Sequence, residues 1–256
     1  MKRMEIAIRA AKEAGIFLKE NKDSISGLKY KGSHTNPVTN MDVDAQKIIV
    51  NMIKIYFPSD VILAEEEIGK NKSNKNMWII DPLDGTVNYI HRSSIYTVSI
   101  AYMGEKALEL GVVFAPELNE LFYAKNKEGA YLNESKVHVS DKSDISLALV
   151  ETGFSYKHRE REKFIPIFSE ILQHVQDVRV TGSAALELCY VACGRADGYW
   201  EYSLSPWDLA AGVLIAKEAG AIISTPSGEK LDIFKGDILA IAPSLYQEFI
   251  ELINRR

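Results

Sequence analysis

The residues most able to do chemistry lie in one short stretch, Trp78–Asn88, which reads WIIDPLDGTVN. An apolar run enters Asp81, and Asp84 follows three residues later, directly before a Gly-Thr pair. The proline between the two aspartates predicts that a buried strand stops here at a turn. Carboxylates at the end of a buried strand are costly unless they are paired or hold a cation. Beside a glycine and the free amides of a helix start, they suit a hard metal ion and a phosphate. By itself, the stretch is also compatible with an Asp-rich turn in which Asp84 caps a helix.

Two further segments place a candidate ligand-binding group at the start of a helix. In Ser205–Gly212, which reads SPWDLAAG, the proline suits a first helical turn and puts Asp208 within it. The alternative role of Asp208 is to complement the helix dipole. In Gly182–Ala185 a strand becomes a helix through a glycine, so free amides there could bind a ligand oxygen. The alternative is that Ser183 only caps the helix.

Three other catalytic patterns fit the sequence poorly. A haloacid dehalogenase-like phosphatase also has an aspartate and an Asp-Gly-Thr after a strand, but its two aspartates stand at i and i+2, pointing the same way. Asp81 and Asp84 are three apart with a proline between them. That spacing across a turn is better suited to ligating adjacent metals. The absence of Gly-x-Ser-x-Gly and Walker-type loops from the sequence argues against a serine hydrolase and a P-loop NTPase.

The elements that must position these groups change in type along the chain. Amphipathic helices are predicted over 4–21 and 42–56, and Asp42 lies in the first turn of the second, where the dipole alone would favour an acid. Strands joined by short turns follow and predict an antiparallel or mixed sheet. Strands and helices then alternate, which is typical of an α/β unit. We therefore predict a layered α/β (α+β) fold in two closely joined halves, 1–143 and 144–256.

Composition excludes several classes of protein. The 256 residues are 46% hydrophobic and 25% charged with a net charge of −5, and no basic stripe of the kind that binds nucleic acid is present. Charged residues interrupt the N-terminal apolar positions, and no apolar run is long enough to span a membrane. Cys189 and Cys193 stand one helical turn apart and predict buried free thiols, with a redox pair as the alternative. We expect a cytoplasmic protein without nucleic-acid or membrane partners.

Taken together, the motifs resemble the inositol monophosphatase family. The resemblance is carried by Thr39–Asp42, Glu65-Glu66, Asp81–Thr86, Gly182–Ala184 and Trp207–Gly212, which stand in the family's order. It implies a layered αβαβα sandwich that forms a homodimer. The family usually has glycine where this chain has alanine before the Glu pair, so either glutamate could be the ligand; we choose the first because it directly continues the strand. Serine in the Gly182–Ala184 motif replaces a common threonine.

The resemblance implies a Mg²⁺ site with two ions and a looser third. Glu65, Asp81 and the Leu83 carbonyl would hold the first ion. Asp81 would bridge to the second ion, which Asp84 and Asp208 would also hold, and the third would lie near Glu65. A set made only of oxygen ligands favours Mg²⁺ over Zn²⁺.

The resemblance also assigns catalytic and substrate-binding groups. Thr86, oriented by Asp42, would position the attacking water, and Glu65 completes the catalytic set. The amides of Gly85 and Thr86 would bind phosphoryl oxygens. Glu201 would face the alcohol, although it could instead be an acid of an edge strand. The full substrate-binding set that is implied comprises Asp84, Gly85, Thr86, Arg179, Gly182, Ser183, Ala184, Glu201 and Asp208.

The sequence thus predicts a Mg²⁺-dependent phosphomonoesterase that hydrolyses inositol 1-phosphate with metal-activated water. The same chemistry on fructose 1,6-bisphosphate or on a nucleotide 3′-phosphate stays open, and so does a non-catalytic metal-binding regulator. The acids and the threonine occur together, which favours the enzyme. Its expected partner is a small sugar or polyol phosphate.

Overall fold

The computed structural model describes residues 2–31, 35–66, 76–105, 107–155 and 158–255. Within them the helices are α1 (Arg3–Glu20), α2 (Asn40–Tyr56), α3 (Thr86–Ile90), α4 (His158–Leu172), α5 (Ala184–Ala192), α6 (Pro206–Glu218) and α7 (Tyr246–Ile253). The strands are β1 (Lys29–Tyr30), β2 (Pro37–Val38), β3 (Val61–Ala64), β4 (Met77–Asp84), β5 (Thr97–Met103), β6 (Leu108–Ala115), β7 (Glu120–Lys125), β8 (Gly129–Leu132), β9 (Ser135–Val137), β10 (Leu149–Thr152), β11 (Asp177–Arg179), β12 (Gly198–Glu201), β13 (Ile222–Ser224) and β14 (Ile238–Ile241).

The described strands form two large sheets and one small pair. The first sheet has the order β3-β4-β5-β6-β7-β8-β9, and its strands are antiparallel apart from the parallel pair β3 and β4. The second has the order β11-β10-β12-β14-β13, with β11, β10 and β12 parallel to one another. The mixed sheet predicted for the first part of the chain is therefore confirmed.

Three apolar cores bind the elements into five layers. Helices α1 and α2 cover one face of the first sheet, and Ile49 and Ile100 belong to the buried core between them. Helices α5 and α6 fill the space between the two sheets. Helices α4 and α7 cover the outer face of the second sheet, where Trp200 meets Phe249. The layered αβαβα sandwich is thus confirmed; the boundary at 143/144 stays a prediction.

Small residues let α6 approach both β6 and α5 closely. A Cβ at Gly111 on β6 would lie 2.7 Å from the backbone oxygen of Ala211 on α6. A Cβ at Gly212 would lie 2.7 Å from the Leu188 Cβ on α5. Contacts below 3.0 Å are not tolerated in a packed interior. The small residues that follow Asp208 therefore hold the start of α6 against the first sheet.

The helix starts follow local capping chemistry. Helix α2 begins at Asn40 rather than 42, because Thr39 caps it and the Asp42 side chain accepts a hydrogen bond from the Thr39 N–H.

Both cysteines are free; Cys189 is buried as predicted, whereas Cys193 is half-buried. None of the described helices combines the length and apolar character needed to cross a bilayer.

Candidate functional site

A bulge in β4 places the two central aspartates on one face of the first sheet. Asp81 pairs with Ser99 of β5 and Asp84 pairs with Thr97, so three steps on β4 oppose two on β5. In a regular strand, residues three apart face opposite sides; the extra residue brings both carboxylates to the same side. The expectation that the strand stops at Pro82 is wrong, because β4 continues to Asp84 and the proline lies within the bulge, where no ladder donor is needed.

Two neighbouring elements bring further carboxylates to this edge. Strand β3 runs parallel to β4, and the Glu65 N–H bonds to the Ile80 carbonyl at 3.3 Å, which sets Glu65 beside Asp81. At the start of α6, the Ser99 hydroxyl lies 3.4 Å from the Trp207 carbonyl and so docks the first turn onto β5. Asp208 follows directly.

Burial and neighbouring acids raise the pKa values of Asp81 and Asp208. Burial raises the pKa of Asp81 well above its usual value, and the charges of Glu65, Asp84 and Asp208 raise it further. Burial likewise raises the pKa of Asp208, and Glu65 and Asp84 add to the shift. Crowded carboxylates of this kind are costly unless protons or cations neutralise them. Because every donor is an oxygen, the set fits a hard divalent ion.

Two of the acids accept hydrogen bonds from nearby backbone amides. Asp208 accepts a bond from the Ser205 N–H at 2.7 Å, and Asp81 accepts one from the Leu83 N–H at 3.0 Å. Across the part of the chain that is described, no three acid, histidine or cysteine side chains already surround one point as metal ligands do. Binding an ion would therefore require small side-chain rotations by these acids.

Glu65, and not Glu66, faces the other acids. It acts on the pKa values of both Asp81 and Asp208, whereas Glu66 Oε1 lies 2.5 Å from Lys31 Nζ. Lys31 also contacts Glu65, with Nζ 2.9 Å from Oε1. The geometry supports the choice of Glu65 as the candidate ligand. Sequence reasoning passed over Lys31, which lies in a polar segment without a recognisable motif.

Thr86 and Asp42 form a hydrogen-bonded pair beside the acids. Asp42 is 1% exposed, and its Oδ2 accepts bonds from the Thr39 N–H at 2.8 Å and the Thr39 hydroxyl at 2.6 Å. Its Oδ1 lies 3.0 Å from the Thr86 hydroxyl, which is also 3.1 Å from the Leu83 carbonyl. Gly85 precedes α3 with a φ of 91°, a conformation that favours glycine and turns the chain from strand into helix.

The turn before α5 joins this site through Asp84. Asp84 Oδ2 accepts bonds from the Ser183 hydroxyl at 2.5 Å, the Ala185 N–H at 3.0 Å and the Thr97 hydroxyl at 3.2 Å. Asp84 therefore does not cap α3, the helix that follows it, whose N-cap is Gly85. The three donors to Asp84 come from β5 of the first sheet and from the start of α5, so the Gly182–Ala184 turn is fixed beside the acids.

Glu201 ends β12, the middle strand of the second sheet, so the alternative that it belongs to an edge strand is wrong. It is 7% exposed, and the Tyr199 hydroxyl donates to its Oε2 at 2.6 Å. Burial raises its pKa to about 7. Near neutral pH such a carboxyl group can accept hydrogen bonds from hydroxyl groups when it is ionised, and can donate one when it is protonated.

Arg179 is the one candidate whose described contacts lead elsewhere. It lies on edge strand β11 and bonds to Asp177, with Nη1 2.5 Å from Oδ2, and to the Val178 carbonyl. The structure therefore does not join Arg179 to the other candidate residues.

Sequence reasoning also missed two buried acids behind the turn. Glu187 accepts bonds from the Thr181 N–H at 2.7 Å and the Thr181 hydroxyl at 2.8 Å, and an acid in a first helical turn after a glycine was the available signal. Glu151 is 3% exposed, with Oε2 lacking a partner among the described residues, and burial raises its pKa to about 8.

Comparisons with known proteins agree with this fold. The model of the inositol monophosphatase family matches residues 2–256. The "Nus factor SuhB" of Vibrio cholerae serotype O1 is 40% identical, over 94% of this chain and 91% of that protein. The "Inositol-1-monophosphatase" of Synechocystis sp. is 38% identical, over 98% and 88%. The solved Thermotoga maritima IMPase superposes with a TM-score of 0.91 at 31% identity and covers 99% of this chain and 97% of that one.

The layered αβαβα sandwich is thus the fold of solved IMPase structures. The chain belongs to the inositol monophosphatase family.

Proposed function

We propose that this protein is a Mg²⁺-dependent phosphomonoesterase that hydrolyses inositol 1-phosphate. The observation that carries the proposal is the convergence of Glu65, Asp81, Asp84 and Asp208 on one edge, beside the Thr86–Asp42 pair. Four oxygen-donor acids, of which Asp81 and Asp208 have pKa values raised by burial and by the charges of their neighbours, are suited to divalent ions and, through them, to a phosphate dianion.

The candidate ligands divide into two sets that share one residue. Glu65, Asp81 and the Leu83 carbonyl would hold one Mg²⁺, while Asp81, Asp84 and Asp208 would hold the other. A third, looser ion would lie near Glu65. Bound Mg²⁺ would activate the attacking water and stabilise charge on the phosphoryl and leaving oxygens.

The chain's own groups orient the reactants. The Thr86 hydroxyl donates a hydrogen bond to Asp42 Oδ1, which leaves a lone pair of Oγ1 to accept a hydrogen bond from the water. Because Thr39 occupies Asp42 Oδ2, the other oxygen stays directed to Thr86. The amides of Gly85 and Thr86 would bind phosphoryl oxygens as their charge develops.

The alcohol portion would lie between the Gly182–Ala184 turn and Glu201. Adjacent hydroxyls of a polyol ring can donate to the Glu201 carboxylate, which would repel a second phosphate. This arrangement favours inositol 1-phosphate over fructose 1,6-bisphosphate. Arg179 is a weaker candidate here because its described contacts are with its own strand.

The test is a phosphate-release screen of purified protein against inositol, sugar and nucleotide phosphates, with and without Mg²⁺. We expect Mg²⁺-dependent release that is fastest from inositol 1-phosphate. Preference for a bisphosphate or a nucleotide would keep the chemistry and overturn the substrate. Release from none of them would favour the second candidate, a non-catalytic regulator, to which the name of the Vibrio cholerae relative draws attention.

We further propose that the protein forms a homodimer. The support is the family resemblance together with the open edge of the second sheet, where β11 lies outermost and Val180 directly after it is 48% exposed. The chain has a mass of 28.6 kDa. Light scattering should give about twice that value if the proposal is correct, and a monomer mass would contradict it.

A further inference from the structure

Asn88 of α3 spans the gap between the turn at Gly85, which is proposed to bind phosphate, and the turn before α5. Its Nδ2 donates to the Thr181 carbonyl at 2.7 Å and lies 3.4 Å from the Gly182 carbonyl. Asn88 stands on the helix that Gly85 and Thr86 begin, while its two acceptors lead into the Gly182–Ala184 turn. One amide group therefore connects the proposed phosphoryl site to the proposed alcohol site.

The two turns pack with little free space. A Cβ at Gly182, whose φ is 83°, would lie 3.1 Å from Asn88 Nδ2. A Cβ at Gly85 would lie 3.1 Å from the Gly182 carbonyl oxygen. Both distances are tighter than ordinary van der Waals contact. The two turns therefore leave little room for a side chain at either glycine.

The backbone N–H groups and the backbone carbonyls of the turn before α5 are held by different side chains. Glu187 accepts the Thr181 N–H at 2.7 Å, and Asp84 accepts the Ala185 N–H at 3.0 Å. The carbonyls of Thr181 and Gly182 face Asn88 instead. Unlike Asp84, which is a candidate metal ligand, Asn88 can be changed to loosen the turn without touching the proposed metal set.

We propose that Asn88 is a positioning residue that sets the distance between the phosphoryl group and the alcohol-binding turn, and so decides which leaving groups the enzyme accepts. The inference rests on the proposed function for the identity of the two subsites. Without the amide donor, the carbonyls of Thr181 and Gly182 lose their partner, and the turn moves away from α3. Contacts with a large polyol are then lost, while contacts with the phosphoryl group remain.

The first test compares Asn88→Ala with Asn88→Asp and with Val87→Ala, a neighbouring exposed position on the same helix. Inositol 1-phosphate and p-nitrophenyl phosphate serve as substrates, since the latter has a good leaving group and needs no alcohol contacts. We expect Asn88→Ala to lower kcat/KM about tenfold for inositol 1-phosphate, mainly through KM, and less than about threefold for p-nitrophenyl phosphate. Asn88→Asp should be worse, because its carboxylate faces two carbonyl oxygens, and Val87→Ala should match the wild type.

The second test is hydrogen exchange, which does not depend on activity. Asn88→Ala should speed exchange of the amides at 181–185 by at least about tenfold, while Val87→Ala leaves them unchanged. An equal loss on both substrates, no loss on either, or unchanged exchange at the turn would each overturn the inference. If the wild type hydrolyses neither ester, the proposed function fails, and the exchange rates alone decide whether Asn88 holds the turn.

Discussion

The Asp81→Asn variant gives the strongest test of how the acids work together. Asp81 is 2% exposed, and its pKa is raised well above the usual value by burial and then by Glu65, Asp84 and Asp208. An acid whose pKa is raised on folding destabilises the fold as pH rises from its unfolded pKa through its folded pKa. At neutral pH, without metal, replacing this carboxylate should therefore raise the melting temperature. In the presence of Mg²⁺ the wild type should have the higher melting temperature, because the variant lacks the carboxylate that the two ions are proposed to share.

The size of the effect follows from mass action. At a Mg²⁺ concentration about ten times the dissociation constant, one bound ion stabilises the fold by about 1.4 kcal/mol. For a chain of this length each kcal/mol moves the melting temperature by about 2–4 °C. Two ions should then raise that of the wild type by about 6–11 °C. Asp81→Asn should lose most of this increase, because the residue is proposed to contact both ions.

The assay is thermal melting of the metal-free protein over a series of Mg²⁺ concentrations, with Glu151→Gln as the matched control. Glu151 is also buried with a raised pKa, but it lies outside the proposed ligand set. The control should keep the full Mg²⁺-dependent increase. Equal Mg²⁺ responses in the wild type and in Asp81→Asn would refute the reasoning, as would loss of the response in the control.

Three further predictions follow from the same geometry. Thr86→Ala should lower kcat by about 10²- to 10⁴-fold while Mg²⁺-dependent stabilisation persists, because only the orientation of the water is lost; near-normal turnover would remove Thr86 from the mechanism. Glu201→Gln should raise KM for inositol 1-phosphate, through a loss of about 1–3 kcal/mol in binding free energy, and should raise kcat/KM for fructose 1,6-bisphosphate relative to that for inositol 1-phosphate. An unchanged ratio of kcat/KM between the two substrates would place specificity elsewhere. Burial raises the pKa of Glu151 to about 8 from 4.5, so wild-type stability should fall as pH rises through that window. The Glu151→Gln variant should therefore gain stability relative to the wild type from pH 5 to pH 8, by at most about 5 kcal/mol in the free energy of unfolding. Melting temperatures of both proteins over this range test it, and a constant difference between them would contradict the assignment.

Local patterns were sufficient to predict much of the fold. The apolar run Val61–Ala64, which ends abruptly at the glutamates, forms β3 over its whole length. The layered architecture also followed, since the order of strand and helix patterns limits the topologies available. The bulge at Pro82 could not be predicted in this way, because it depends on which residues of β5 pair with β4.

The candidate acids could be chosen from motifs, but their partners could not. Asn88 bonds to a carbonyl 93 residues away in the chain, and nothing in its neighbourhood signals that contact. The alternative for Glu201 failed for the same reason, since strand order decides whether a residue lies at an edge. Sequence spacing shows which groups could act on a ligand, whereas long-range pairing decides which of them meet.

The central claim is that the four acids bind divalent ions which act on a phosphate ester. The most direct measurement is the anomalous diffraction of Mn²⁺, used in place of Mg²⁺, in crystals grown with inorganic phosphate. We predict two strong anomalous peaks with Asp81 between them, one bordered by Glu65 and the other by Asp84 and Asp208, with phosphate oxygens contacting both ions. Phosphate bound without any anomalous peak at these acids would contradict the account.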